Sequence, residues 1–228
     1  MKANLTRRLA AEGLGTAFLL AAVVGSGIMG QRLSEGNAAL ALIANTVSTG
    51  AALTVLISIF APISGAHFNP AVTLVFMARR EMKVMDGLAY IVVQIACAVL
   101  GVYAAHLMFA APIFEVSTKL RDGPGQAFSE FIATFGLMAT ILGANRFRPA
   151  QTAALVGLYI ASAYWFTAST SFANPAVTLA RALSDSFAGI APASVPPFLA
   201  AQLAGGLAGA FVFGWLFDGK AADTGRSA

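Results

Sequence analysis

Apolar residues fall in long continuous runs, not at every second or every third to fourth position. Six runs stand out, at residues 9–30, 38–60, 88–109, 128–142, 152–166 and 197–217. A helix crosses a bilayer with about 20 apolar residues. The pattern therefore predicts six membrane-spanning helices, the fourth and fifth short by strict count. Six spans use roughly 120 residues and leave about 100 for termini, loops and partial segments. The first run follows a basic start, as in a signal peptide. It is too long for a signal's apolar stretch and lacks a clear cleavage site, so it is read as a helix that stays in the membrane.

Composition agrees. Of 228 residues, 58% are hydrophobic and 11% charged, against about 25% charged in a soluble domain. Mean hydropathy is +0.76. Disorder is excluded and a soluble globule is disfavoured. The formal charge of +4 and pI near 9.6 do not indicate a nucleic-acid partner, because the basic residues are scattered between apolar runs. They sort by loop instead. Lys2, Arg7, Arg8, Arg79, Arg80, Lys83, Arg146, Arg148, Lys220 and Arg226 fall on one side; Arg32, Lys119, Arg121 and Arg181 fall on the other. The positive-inside rule then places both termini in the cytoplasm, as an even number of spans requires. The single cysteine, Cys97, lies in an apolar run and reads as a packed thiol. With two histidines there is no metal-ligand cluster, and no cofactor is expected.

The chain repeats itself. AEGLGTAFLL around Glu12 returns as SEFIATFGLM around Glu130. HFNPAVTL returns as FANPAVTL, and YIVVQIACAVLG around Gln94 as FLAAQLAGGLAG around Gln202. One domain over residues 1–228 is expected, built from repeats at about 7–110 and 126–218. Each half holds three spans and one NPAVTL segment. An odd number of spans per half inserts the second half upside down, as an inverted repeat.

Each Asn-Pro-Ala reads as a helix start. Asn69 and Asn174 are good N-caps, and Pro70 and Pro175 suit the first helical position ahead of Ala71 and Ala176. The short apolar stretches that follow, 71–78 and 176–183, rise only about half a bilayer. Inverted symmetry brings their N-termini together near the membrane centre, where partial positive charge opposes protons and cations. The asparagine amides are candidate donors to a passing oxygen. Non-helical backbone at this depth is tolerated where it lines a cavity. The carbonyls of Gly65, Ala66, His67 and Phe68, and of Thr170, Ser171, Phe172 and Ala173, are candidate pore acceptors. Such a pore suits a small polyhydroxylated solute.

SGAHFNPAVTL at 64–74, the second NPA, and the paired Glu and Gln resemble the aquaporin and aquaglyceroporin family over nearly the whole chain. The resemblance implies an all-α membrane protein of six transmembrane helices and two re-entrant half-helices, with a pore in each subunit of a homotetramer in the lipid bilayer. It implies that Glu12 and Glu130 buttress the re-entrant loops by accepting backbone hydrogen bonds. An ionisable group inside a membrane helix needs such a partner.

The pattern departs from the family at its outer selectivity filter. The family's arginine stands three residues after the second motif asparagine; here that residue is Val177. Counting from the motifs places the other filter positions at Thr49, Ser162 and Ser171. The expected filter is wide and has no charge and no ring. It suits glycerol, urea or undissociated metalloid hydroxides such as arsenous acid. Bacterial aquaglyceroporins without the filter arginine resemble this pattern and are linked to arsenic resistance, including methylated arsenicals. The implied location is a bacterial inner membrane. Arg181, seven residues after Asn174, could replace the missing arginine, but the favoured expectation is that it caps the second half-helix and reaches the outer interface. His67 is expected beside the first half-helix. Gln94 and Gln202 are expected to bond to loop backbone.

Alternatives to an arsenical channel are a general water and glycerol facilitator, a coupled secondary transporter and a structural junction protein. Coupling usually needs additional intramembrane charges. No catalytic set or nucleotide loop indicates an enzyme.

Overall fold

A computed structural model describes residues 3–217. Lys2, Lys220, Arg226 and the last residue of the expected second repeat lie outside that range. Among the described residues there is no β-strand. Eight helices follow in order: α1 (Leu5–Leu33), α2 (Ala38–Ser64), α3 (Pro70–Ala78), α4 (Val84–Met108), α5 (Pro124–Phe147), α6 (Thr152–Phe166), α7 (Pro175–Arg181) and α8 (Val195–Phe217). Short 3₁₀ turns precede α6 and α8.

Five helices are long and apolar enough to cross a membrane: α1, α2, α4, α5 and α8 with its preceding turn. The sixth, α6, has 15 residues. With the three-residue turn at Pro149–Gln151 it extends about 28 Å, close to a hydrocarbon core of about 30 Å. The short fifth run thus becomes a span by borrowing a turn from its loop. The half-helices have 9 and 7 residues, about 14 Å and 10 Å.

The helices pack closely because small residues sit at the crossings. A Cβ on Gly101 of α4 would collide with the Ala17 carbonyl of α1. A Cβ on Gly209 of α8 would lie 2.8 Å from the Phe135 carbonyl of α5. Ala17 and Phe135 each follow their half's glutamate by five residues, and the two glycines each follow their half's glutamine by seven. The same crossing is therefore made in both halves. Across the halves, Gly50 of α2 meets the Gly157 carbonyl of α6. Between these crossings α3 and α7 sit in the interior, with Ala71, Val72, Val75, Ala176 and Ala180 buried.

Outside the helical layer, residues 109–123 join the halves and pair with the segment after α7. Ser117 N–H donates to Ala182 O at 2.9 Å, and Ala191 N–H to Lys119 O at 2.7 Å. This pairing draws Arg121 in over the end of α7, where it is buried.

Candidate functional site

The two Asn-Pro-Ala segments face each other. Asn69 and Asn174 cap α3 and α7, each Oδ1 accepting from the N–H of the motif alanine at 2.9 Å. The remaining side-chain nitrogens cross over. Asn69 Nδ2 donates to Ala173 O at 2.8 Å, and Asn174 Nδ2 donates to Phe68 O at 2.7 Å. Each asparagine thus holds its own helix start and the opposite loop. An amide has two N–H donors, so each keeps one for a solute.

The loops ahead of the motifs are strained in matching places. Gly65, Ala66 and Phe68 have positive φ, and so do Thr170, Ser171 and Ala173, at the same offsets from their asparagines. For residues other than glycine the left-handed region costs roughly 1–2 kcal/mol each. Strain of this kind persists only where the surroundings over-determine it. Here two buried carboxylates do so. Glu12 accepts from His67 N–H at 3.0 Å and Phe68 N–H at 2.7 Å. Glu130 accepts from Phe172 N–H and Ala173 N–H, both at 2.8 Å. Gln94 and Gln202 each bridge their half's glutamate to a half-helix threonine. Gln94 Nε2 donates to Glu12 at 2.9 Å and Thr73 at 3.0 Å. Gln202 Nε2 donates to Glu130 at 2.6 Å and Thr178 at 2.7 Å. The glutamines therefore meet side chains, where loop backbone was expected. His67 Nδ1 lies 3.1 Å from Thr73 Oγ1, and its ring packs on Phe76.

A cavity of about 430 Å³ runs between the halves. One end is lined by Asn145, Pro149 and Ala150, at the α5–α6 connection; its middle by Asn69 and Asn174; its far end by Phe172, Val177 and Arg181. Gly65, Ala66, His67 and Phe68 all line it, as do Ser171, Phe172 and Ala173. Thr170 does not. Its hydroxyl lies 3.5 Å from Arg121 Nη1, so the second run of acceptors begins one residue later than expected.

Of the four expected filter residues the structure brings three together. Thr49, Ser171 and Val177 are buried and line the far part of the cavity. Ser162 does not join them. It is exposed, and its hydroxyl donates to Tyr159 O at 2.8 Å. Val156, Ile160 and Tyr164 are the cavity side of α6, and Ser162 lies about 200° round the helix from Ile160. Counting back from Asn174 crosses the non-helical segment 167–173, which does not keep the helical period.

The expected absence of ring and charge is also corrected. Tyr164 reaches the level of Thr49, its hydroxyl donating to Thr49 Oγ1 at 3.3 Å. Phe172 presents its ring, and the Arg181 guanidinium lies on that ring 3.4 Å from its centroid. Arg181 is only 1% exposed and does not reach an outer interface. Its Nε donates to Ala188 O. The Arg121 guanidinium also lies on Phe172, at 4.9 Å. It donates to Gly189 O at 2.9 Å and Ser169 O at 3.1 Å.

The comparisons with known proteins fit this architecture. The family model for the major intrinsic proteins matches residues 1–171. The chain belongs to the major intrinsic protein family. The match ends three residues before the second asparagine, ahead of the segment in which Val177 departs from the family pattern. The chain is 53% identical to the aquaglyceroporin AqpS of Rhizobium meliloti (strain 1021), over 94% of this chain and 92% of that one. It is 34% identical to nodulin-26 of Glycine max over 60% of this chain and 50% of that one. A solved aquaglyceroporin from Plasmodium falciparum superposes with a TM-score of 0.71 at 23% identity, covering 94% of this chain and 96% of that one; at that identity the likeness speaks for the fold. Members of this family are passive channels, not enzymes, and this major intrinsic protein is a multi-pass membrane channel for small solutes.

Proposed function

We propose that the protein conducts arsenite, methylated arsenicals and related small polyols down their gradients. Val177 is the observation that carries this reading: an isopropyl group stands three residues after Asn174, on the cavity wall. A guanidinium there would occupy the space and fix a charge in line with the asparagines. The isopropyl group leaves width for a triol. The 53% identical relative is an aquaglyceroporin by name, which supports a pore wider than a water channel's. Hydroxyls passing along it would find acceptors at the loop carbonyls and donors at the two asparagine amides.

Two inverted repeats, at about 7–110 and 126–218, account for the paired clamps at Glu12 and Glu130. The channel assembles as a homotetramer in a bacterial inner membrane, with both termini cytoplasmic. The exposed apolar side chains on its outer face, among them Phe18, Val92, Phe211 and Trp215, suit lipid or neighbouring subunits.

The test is solute flux in proteoliposomes for wild type and Val177→Arg. Wild type should pass water, glycerol, arsenite and methylated arsenicals. The variant should keep water permeability and exclude the larger solutes. Wild type passing water alone, or a variant with unchanged selectivity, refutes the reading. Accumulation against a gradient in energised vesicles would point to a coupled transporter instead.

A further inference from the structure

Two polar groups at the far end of the cavity are buried without a partner. Among the described residues, Arg181 Nη1 and Ser171 Oγ have no hydrogen-bond partner, and both residues line the cavity. Two contacts hold the Arg181 head group in place. Its Nε is held by the Ala188 carbonyl, and its plane rests on Phe172. An arginine buried in protein ordinarily has its N–H groups satisfied. Here the guanidinium is pinned while part of its donor capacity is unused.

The surroundings add charge of one sign. Arg121 shares the Phe172 ring with Arg181. Lys119 stands close enough to feel both arginines, and its ammonium is pushed down to about 8 by burial and by their like charges. Of the acidic groups on this side, Asp185 accepts from Thr118 and Glu115 from Asp185 N–H, while Asp122 is exposed to solvent. Glu130 faces the loop amides it clamps.

We propose that Arg181 and Ser171 form a solute-binding subsite at the outer end of the pore, selecting oxygen-bearing solutes and favouring singly charged oxyacids over cations. Arg181 supplies the charge that Val177 does not, from one helical turn further along α7 and from the side of the pore. A passing solute oxygen accepts from the guanidinium while a solute hydroxyl meets Ser171 Oγ. The cavity stays wide at Val177 and is nevertheless closed to cations by the field beyond it. This rests on the reading of the chain as a channel for such solutes.

The experiment compares flux of arsenite, neutral at pH 7, with methylarsonate, largely a monoanion there, in proteoliposomes of wild type, Arg181→Gln and Ser171→Ala. Arg181→Gln should lower the methylarsonate-to-arsenite ratio about tenfold, the size expected of one charge-assisted hydrogen bond, and should raise the leak of small monovalent cations. Ser171→Ala breaks no side-chain hydrogen bond within the protein, so it keeps the proposal testable if Arg181→Gln does not reconstitute. It should slow both arsenicals relative to water. An unchanged ratio in folded Arg181→Gln, or unchanged arsenical flux in Ser171→Ala, overturns the subsite. A wild type that passes arsenite but shows no sensitivity at either residue overturns it alone. A wild type that passes neither solute above bare lipid overturns the channel reading as well.

Discussion

Replacing Glu130 with alanine tests the claim that one buried carboxylate holds the second loop in its strained shape. The carboxylate accepts from Phe172 N–H, Ala173 N–H and Gln202 Nε2, and Glu130 is fully buried. The alanine leaves three donors without an acceptor. Each costs about 1–3 kcal/mol when buried unsatisfied. The floor of that sum is about 3 kcal/mol, and removal of a desolvated charge returns part of it. A net loss of about 2–4 kcal/mol remains, set against a typical total of about 5–15 kcal/mol. The loop has its own reason to move, since Thr170, Ser171 and Ala173 each hold a positive φ. Freed of the clamp, those residues relax and carry Asn174 off the pore. Water and arsenite flux should therefore fall at least about tenfold, the consequence of some 1.4 kcal/mol of displaced population, while helical circular dichroism persists. The melting temperature in detergent should fall. Glu130→Gln can keep its oxygen on Ala173 N–H and Gln202 Nε2 and then sets an amide donor against Phe172 N–H alone, so it should lie between wild type and the alanine variant. Wild-type flux and melting in Glu130→Ala would refute the clamp.

Other expectations follow from single contacts. Gly101→Val drives a side chain into the Ala17 carbonyl of α1, and backbone cannot yield as a flexible side chain can; a loss of about 1–3 kcal/mol should appear as a lower melting temperature. Tyr164→Phe removes the hydrogen bond to Thr49 and should increase glycerol flux relative to water if that pair narrows the pore; an unchanged ratio would show that it does not. Lys119 is depressed to about 8 in the fold by burial and by Arg121 and Arg181, against about 10.4 in an unfolded chain. Between those values the unfolded state binds more protons, so stability should rise with pH across that window. Lys119→Met should flatten the rise in melting temperature between pH 7 and 10; an identical slope in wild type and variant would refute the assignment.

Much of the frame could be read without coordinates, because lipid forces simple rules. An apolar run of sufficient length must be a helix, and a motif that starts a helix without room to span must be a half-helix. For the repeated Glu12 and Glu130, physics asks only that an ionisable group inside a membrane helix find a partner; that the partners are the loop amides is what the family resemblance implies. The glutamines were harder. Gln94 and Gln202 chose threonine hydroxyls on α3 and α7, partners that sequence spacing alone does not select over loop backbone.

The filter marks where counting stops working. Val177 and Ser171 are placed by short offsets from Asn174, and Thr49 by an offset that mostly follows one helix, so all three landed on the cavity. Ser162 was reached across seven residues of turns and left-handed loop, which do not keep the helical period, and the register slipped to the outside of α6. Arg181 failed for a different reason. A cation at the end of a short helix ordinarily runs to water, as the sequence reading expected. Its actual course depends on the residues that come after it: the chain turns back so that Ala188 O meets Nε, while Phe172, nine residues earlier, offers its ring. Two segments on either side of α7 close over the guanidinium, and neither carries a local signal that it will. The charge at this pore is therefore a property of tertiary structure. A substitution at Ala188 that shifts its carbonyl should release Arg181 and change solute preference without touching any residue of the cavity wall; wild-type preference in a folded Ala188→Pro variant would show that the carbonyl does not position it.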